Sequence, residues 1–258
     1  MEMKGHTGSI SVLCWNPAHS EQLVTTSLDQ SIRLWDVRTG KNTANLPAKG
    51  EGINIAWSPD GNTIICGSKG SPTVDQLLQI DVRKNKTVKI VKFHYLVNEM
   101  AWHKDGNKLY LTTGSGDIEI RNWPEFKMIR SIPAHTAAIF SIDINPNGKN
   151  FAVGSADSLV SLWDANELVC LRTFTNLNSM VRTISISHDG QFIASGSEDT
   201  YIDISHVETG EKIATLKCDA ATNELAWHPK KLLLAFAGDE KDGHGHDKGS
   251  VKIFGFDR

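Results

Sequence analysis

The chain has 258 residues, a formal net charge of −3 and 40% hydrophobic residues, which is enough apolar material for a large folded core. A nucleic-acid-binding domain usually carries a strongly basic face, so the slight acidic excess disfavours a chain that binds RNA or DNA by itself. No apolar run has the length of a membrane-spanning helix, and neither a membrane nor a small-molecule substrate is expected as a partner.

A short pattern recurs along the whole chain with a spacing of about 42 residues. In each unit an apolar residue ends an alternating run just before a turn rich in Pro, Asp and Gly. These residues are Trp15, Trp57, Trp102, Ile144, Ile186 and Trp227. The end of the third run repeats with the same period, as in Leu34-Trp35-Asp36 and Leu162-Trp163-Asp164. Units of this length with four short strands each are typical of β-propeller blades, so the sequence predicts an all-β propeller.

The propeller is expected to be a single domain over residues 1–258 with six recognisable repeat units. Each unit would fold into one small antiparallel sheet. The approximate ranges are 5–46, 49–88, 92–132, 134–174, 176–217 and 219–258.

The first and fourth units share a set of polar and aromatic residues at matching positions. The sets are His6, Ser27, Asp29 and Trp35, and His135, Ser155, Asp157 and Trp163. An indole N–H only donates, a hydroxyl donates and accepts, a neutral imidazole does both, and a carboxylate accepts. The four groups therefore predict a buried chain of hydrogen bonds that fixes the blade.

The remaining units depart from this pattern. The second unit is expected to have a longer, irregular turn over residues 67–72, and the third unit ends its third strand on Arg121-Asn122-Trp123. We expect both units to be held mainly by strand pairing and apolar packing. The fifth unit has Ser205 where the Trp would stand, and the sixth is interrupted by a charged, Gly-rich insertion over residues 239–249 that is expected to be a mobile loop.

Catalytic, cofactor and metal sites are not predicted. The Ser, His and Asp of the two networks occur twice at repeat spacing and lack the Gly-x-Ser-x-Gly turn of a hydrolase nucleophile. His244 and His246 in the insertion, with nearby Asp residues, do not have the spacing of a metal-binding loop. The four cysteines show no zinc-ligand spacing. The basic cluster between Arg83 and Lys92 is interpreted as a solvated outer strand and turn.

The His, Ser-x-Asp and Trp-Asp pattern resembles the WD-repeat β-propellers over essentially the whole chain. More narrowly, residues 31–39, 49–61, 154–164, 181–190 and 226–236 are similar to the WD-repeat subunits of the THO and TREX assemblies. The segment Glu167-Leu-Val-Cys and the run Ile202-Asp-Ile are the more specific parts of this likeness. The resemblance implies a non-catalytic nuclear scaffold that helps couple transcription and processing to messenger RNA export. Its partners would be other THO/TREX subunits, with RNA contact indirect or weak.

One departure from that family concerns the number of blades. Family propellers are expected to have seven, so this chain is expected to lack an N-terminal blade. A second function remains open from the sequence, that of a WD-repeat adaptor in another complex such as a ubiquitin ligase substrate receptor. An enzyme built on a propeller is not expected, because turns and the two hydrogen-bond networks account for the polar residues. The enzyme would need acidic or His residues that converge at one end of the channel.

Overall fold

The computed structural model describes residues 2–71, 74–241 and 249–256, and it consists of β-strands joined by short turns. It contains six separate antiparallel sheets, one for each repeat unit, so the predicted six-bladed β-propeller is confirmed. Within the described ranges, no helix is long and apolar enough to cross a membrane. The expected loss of an N-terminal blade and the single-domain assignment stay predictions.

The strands follow one another in the sheets in the order of the chain. The first sheet is formed by β1 (Ile10–Trp15), β2 (Gln22–Ser27), β3 (Ser31–Asp36) and β4 (Lys41–Pro47). The second contains β5 (Glu51–Trp57), β6 (Thr63–Ser71), β7 (Val74–Asp81) and β8 (Lys86–Phe93). The third contains β9 (Val97–Trp102), β10 (Lys108–Thr113), β11 (Asp117–Asn122) and β12 (Met128–Pro133).

The last three sheets have the same arrangement. The fourth contains β13 (Ile139–Ile144), β14 (Asn150–Ser155), β15 (Val160–Asp164) and β16 (Cys170–Phe174). The fifth contains β17 (Val181–Ile186), β18 (Phe192–Ser197), β19 (Tyr201–His206) and β20 (Lys212–Lys217). The sixth has three strands among the described residues, β21 (Thr222–Trp227), β22 (Leu233–Gly238) and β23 (Lys252–Gly255).

The chain divides into two compact units, Met1–Thr113 with Glu119–Arg130, and Gly114–Ile118 with Ser131–Arg258. Each unit has its own apolar core, built from side chains of successive sheets. In the first unit the core includes Val24, Ile32, Ile64, Cys66 and Ile80. The second unit has two clusters, one that includes Ala152, Val181 and Ile193 and one that includes Ile202 and Leu234. Since each fully buried aliphatic side chain contributes about 1.5–3 kcal/mol, these cores are the main stabilising element of the fold.

The strand register puts the same structural position at the end of each third strand. Three pairs across the second and third strands are equivalent, namely Leu23–Trp35, Phe151–Trp163 and Ile193–Ser205. Ser205 therefore lies where the other two blades have a tryptophan, as the repeat spacing predicts.

The turns after the first strands hold successive sheets together. Gly61 and Gly190 have φ values of +71° and +73°, which favour glycine at these positions. Their carbonyl oxygens accept hydrogen bonds from Asn16 at 3.3 Å and from Asn145 at 3.2 Å, each in the preceding blade of the same compact unit. A Cβ at either glycine would lie 2.4 Å from the Asn Oδ1, so the bond requires glycine.

The second blade differs from the sequence prediction. Instead of a turn from residue 67, β6 and β7 stay paired as far as Ser71 and Val74, with an irregular register between Lys69 and Ser71. Residue 72, the last of the expected turn, lies outside the described residues. The strands are nine and eight residues long, against six in β2 and β3, so most of the extra residues lengthen the sheet. The prediction was wrong because Gly and Ser were taken as turn residues, whereas strand pairing extends through them.

Candidate functional site

The first blade contains a continuous chain of side-chain hydrogen bonds. Trp35 Nε1 donates to Thr25 Oγ1 at 2.8 Å, and the Thr25 hydroxyl lies 2.7 Å from His6 Nε2. His6 Nδ1 lies 2.9 Å from Asp29 Oδ2. With the imidazole proton on Nδ1, each group donates to the next, from the indole to the carboxylate. The chain links the segment before β1 to the turn between β2 and β3.

The fourth blade has the same chain with one substitution. Trp163 Nε1 donates to Ser161 Oγ at 2.7 Å, the Ser161 hydroxyl lies 2.7 Å from His135 Nε2, and His135 Nδ1 lies 3.0 Å from Asp157 Oδ2. Thr25 lies on β2 and Ser161 on β15, the second and third strands of their sheets. The two blades therefore supply the linking hydroxyl from different strands.

The serines that the sequence placed in these networks have another role. Ser27 accepts a hydrogen bond from the Asp29 amide at 3.0 Å, and Ser155 accepts one from the Asp157 amide at 3.2 Å. Ser155 also donates to the carbonyl oxygens of Ala137 and Ala138. Ser27 and Ser155 therefore contact the turn that positions the aspartate, whereas the indole of each blade donates to a different hydroxyl, that of Thr25 or Ser161.

The fourth-blade contacts have the order of a hydrolase triad, since Ser161, His135 and Asp157 are hydrogen-bonded in sequence. Catalysis of that kind needs an accessible serine oxygen next to oxyanion donors. Ser161 is buried, and its oxygen already accepts a hydrogen bond from the indole N–H of Trp163. The imidazole of His135 is only 2% exposed. A substrate cannot reach this oxygen, and the contacts act as structural bonds.

The third blade contains a polar network that the sequence did not predict. The main-chain bond from Trp123 to Asn107 corresponds to the bond from Val37 to Glu21, which puts Arg121 at the position of Trp35. Its partners are Glu119 and Tyr95. Arg121 donates to Glu119 Oε2 from Nη2 at 2.8 Å and from Nε at 3.1 Å, and Tyr95 donates to Glu119 Oε1 at 2.5 Å.

Two aromatic rings pack against the Arg121 guanidinium of this network, and burial affects its Tyr95 phenol. The Arg121 guanidinium lies 5.0 Å from the ring centre of Phe93 and 5.2 Å from that of Phe126. Burial, together with the hydrogen bond to the Glu119 carboxylate, raises the pKa of the Tyr95 phenol, so Tyr95 stays a donor. The third blade, expected to be held mainly by strand pairing and apolar packing, therefore also contains a buried polar network.

The fifth blade has a third version of the network. Asn176 precedes the blade as the histidines do, and its amide nitrogen lies 3.2 Å from both Asp203 Oδ2 and Ser205 Oγ. Ser205 donates to the Asp203 carboxylate at 2.7 Å, and Lys212 lies 3.6 Å from the other carboxylate oxygen. A charged group buried this deeply needs such partners.

Hydrogen bonds to Asp29 give the first blade a pH-dependent term in its stability. Burial alone would raise the pKa of the Asp29 carboxyl, but bonds from Ser31, the Thr7 amide and His6 outweigh it and hold the pKa well below its ordinary value. A carboxyl whose pKa is lower in the folded state stabilises the fold above its unfolded pKa of about 4. That stabilisation is lost as the pH falls towards the folded pKa.

We expect Asp29→Asn to lower the free energy of unfolding at about pH 7 and to have a smaller effect at about pH 2.5. The reason is that the native protein has lost part of the Asp29 stabilisation in acid, whereas the amide cannot titrate. Urea unfolding of both proteins at the two pH values measures the difference. A gap between them that does not change with pH would show that the carboxylate is not stabilised by these bonds.

In the part of the chain that the structure describes, no three His, Cys, Asp or Glu side chains converge on a position that could hold a metal ion. His244 and His246 of the insertion lie outside the described residues. Burial raises the pKa of the Cys66 thiol to about 12, so this cysteine is a neutral core residue.

The six sheets and the two His–Asp networks define a β-propeller of the WD-repeat class. The family model described as WD domain, G-beta repeat, matches residues 1–36 and 126–164, the two ranges that contain these networks. The Anaphase-promoting complex subunit 4 WD40 domain model matches residues 171–230. The β-propeller domain of Cps50 (Swd1) from Myceliophteria thermophila superposes with a TM-score of 0.80 at 15% identity, over 97% of this chain and 84% of that chain. This likeness shows the fold alone.

Two curated relatives define the family more narrowly. THO complex subunit 3 of Arabidopsis thaliana is 48% identical over 258 residues, which is all of this chain and 81% of that protein. WD repeat-containing protein AAC3 of Dictyostelium discoideum is 35% identical over 99% of this chain and 53% of its own length. The chain belongs to the WD-repeat family that contains THO complex subunit 3.

Proposed function

We propose that this chain is a non-catalytic, protein-binding subunit of a THO-type nuclear complex that couples transcription and processing to messenger RNA export. The observation that carries the proposal is the 48% identity to THO complex subunit 3, which extends over the entire chain. A likeness confined to generic propeller residues would not reach this level, because Trp-Asp and turn residues account for only a small part of each unit.

The hydrogen bonds of the polar residues inside the blades support a scaffold role for this chain. His6, His135, Glu119 and Asp203 are committed to hydrogen bonds within their own blades. These bonds stabilise the sheets and leave the turns and sheet edges to contact other proteins. Repeat folds of this kind offer extended surfaces for partners, and partner subunits of the complex would occupy them.

The proposal predicts that tagged chain expressed in cells recovers THO subunits from nuclear extract. Recovery should be unchanged after nuclease treatment, because the contacts are between proteins and RNA contact is indirect or weak. Quantitative mass spectrometry of treated and untreated samples, with a tag-only control, measures this. Recovery of ubiquitin-ligase components without THO subunits, or of chaperones alone, would contradict the proposal, and nuclease-sensitive recovery would contradict direct protein contact.

A further inference from the structure

The edge strand of the second sheet differs from the corresponding strands of the other sheets. β8 has eight residues, whereas the fourth strands β4, β12, β16 and β20 have five to seven. Val88 and Ile90 on this strand are 47% and 43% exposed. Three lysines, Lys86, Lys89 and Lys92, alternate with these aliphatic residues. β8 pairs on one side with β7, and its other side is the end of the sheet.

A groove of about 440 Å³ lies between this strand and β4 of the first sheet, inside the first compact unit. Its apolar lining comes from Leu46 and Pro47 on β4 and from Val88 and Ile90 on β8. Lys49, Lys86 and Lys89 line the same groove. Among the described residues, no acidic side chain lines it, in a chain whose net charge is negative.

The lysines of the groove differ in whether their ammonium groups already have partners within the protein. Lys89 donates to the Glu125 carbonyl at 3.2 Å and lies 6.0 Å from the Phe126 ring centre. Lys49 and Lys86 are exposed, and neither has a carboxylate partner among the described residues. Nearby Lys84, by contrast, is paired with Asp81 at 3.2 Å.

Lysines on an edge strand often serve only to prevent aggregation, because a charged edge resists pairing with another strand. That role does not require an apolar groove beside the lysines. An extended acidic peptide that adds to a sheet edge needs three things from the protein. It needs free main-chain groups along an edge strand, exposed aliphatic side chains to pack against, and positive charge to pair with its carboxylates. The edge of β8 and the groove beside it provide all three. Single-stranded RNA is a poorer fit, since none of the described residues that line the groove is an aromatic on which a base could stack.

We propose that this groove binds an acidic, extended segment of a partner protein, which pairs with β8 as an added strand. Aliphatic side chains of the segment would contact Val88 and Ile90, and its carboxylates would pair with Lys49 and Lys86. Binding of such a segment would be a property of the purified chain, whichever complex the chain enters. A chain that does not bind the segment can therefore be told apart from one that does not recover THO subunits.

The test uses a fluorescent synthetic peptide in which Glu alternates with Val over the length of β8. We expect the purified chain to bind it, and the double variant Lys49→Glu/Lys86→Glu to bind at least about tenfold more weakly, because two attractive pairs become repulsive. Lys217→Glu on β20 is the matched control, since Lys217 is also an exposed lysine on a fourth strand. It should leave binding within about twofold of the native value.

Two further measurements distinguish strand addition from other modes of binding. Hydrogen exchange should slow at β8 when the peptide binds and stay unchanged at β20. A peptide with proline at alternate positions, which cannot complete the main-chain bonds, should bind much more weakly. Equal binding of the proline peptide, no effect of the double variant at unchanged thermal stability, or preferential binding of a uridine oligonucleotide of matched charge would overturn the proposal.

Discussion

Replacing Trp163 with Ala is expected to lower the free energy of unfolding by about 3–5 kcal/mol, the usual range for removing a buried aromatic side chain. Trp163 is 7% exposed, and its indole N–H donates to the Ser161 hydroxyl that also contacts His135. The substitution leaves a cavity and removes the donor at one end of the hydrogen-bond chain. Urea unfolding followed by circular dichroism measures the change.

Trp15 offers a matched control within the same repeat protein. It ends a first strand of the first sheet, and its side chain is 50% exposed. Trp15→Ala should therefore cost about 1 kcal/mol or less, since little packing is lost. Equal destabilisation by the two substitutions would mean that burial and the network do not determine the stability of the fourth blade.

The sequence was a good guide to the fold because the repeat gives two kinds of information at once. Alternation of apolar residues marks the strands, and the period of about 42 residues sets the number of sheets. The same spacing placed His6 with Asp29 and His135 with Asp157. These pairs connect segments at fixed positions in the repeat, so comparing two units was enough to find them.

The linking hydroxyl could not be found by spacing. It comes from Thr25 on β2 in the first blade and from Ser161 on β15 in the fourth. In the first blade Thr25 is paired with Arg33, and in the fourth Val153 is paired with Ser161, so the hydroxyl moves across a pair of neighbouring strands. Only the register shows that the two positions are adjacent in space.

The network of the third blade was missed for a related reason. Tyr95, Glu119 and Arg121 share no residue type with His, Ser and Trp, although they occupy similar places. An indole and a hydroxyl can be exchanged for a guanidinium and a carboxylate, provided that every donor and acceptor is satisfied. The residue types of the repeat pattern therefore do not indicate this network. The need of every buried polar group for a hydrogen-bond partner does indicate it.

This network gives the second large expected effect. Replacing Glu119 with Ala should lower the free energy of unfolding by about 3–5 kcal/mol, because it leaves the Arg121 charge buried without its partner. The two side chains are 7% and 12% exposed and their closest approach is 2.8 Å. Chemical unfolding of the purified chain measures the loss.

The pair Arg182–Glu198 is the control, because it has the same 2.8 Å separation but is 33% and 40% exposed. Glu198→Ala should cost about 1 kcal/mol or less, as for other solvent-exposed pairs. The double variant Glu119→Leu/Arg121→Met should recover much of the stability lost in Glu119→Ala, since it removes the unpaired charge as well as its partner. A double variant less stable than Glu119→Ala would mean that Arg121 stabilises the blade through the rings of Phe93 and Phe126 rather than through the carboxylate.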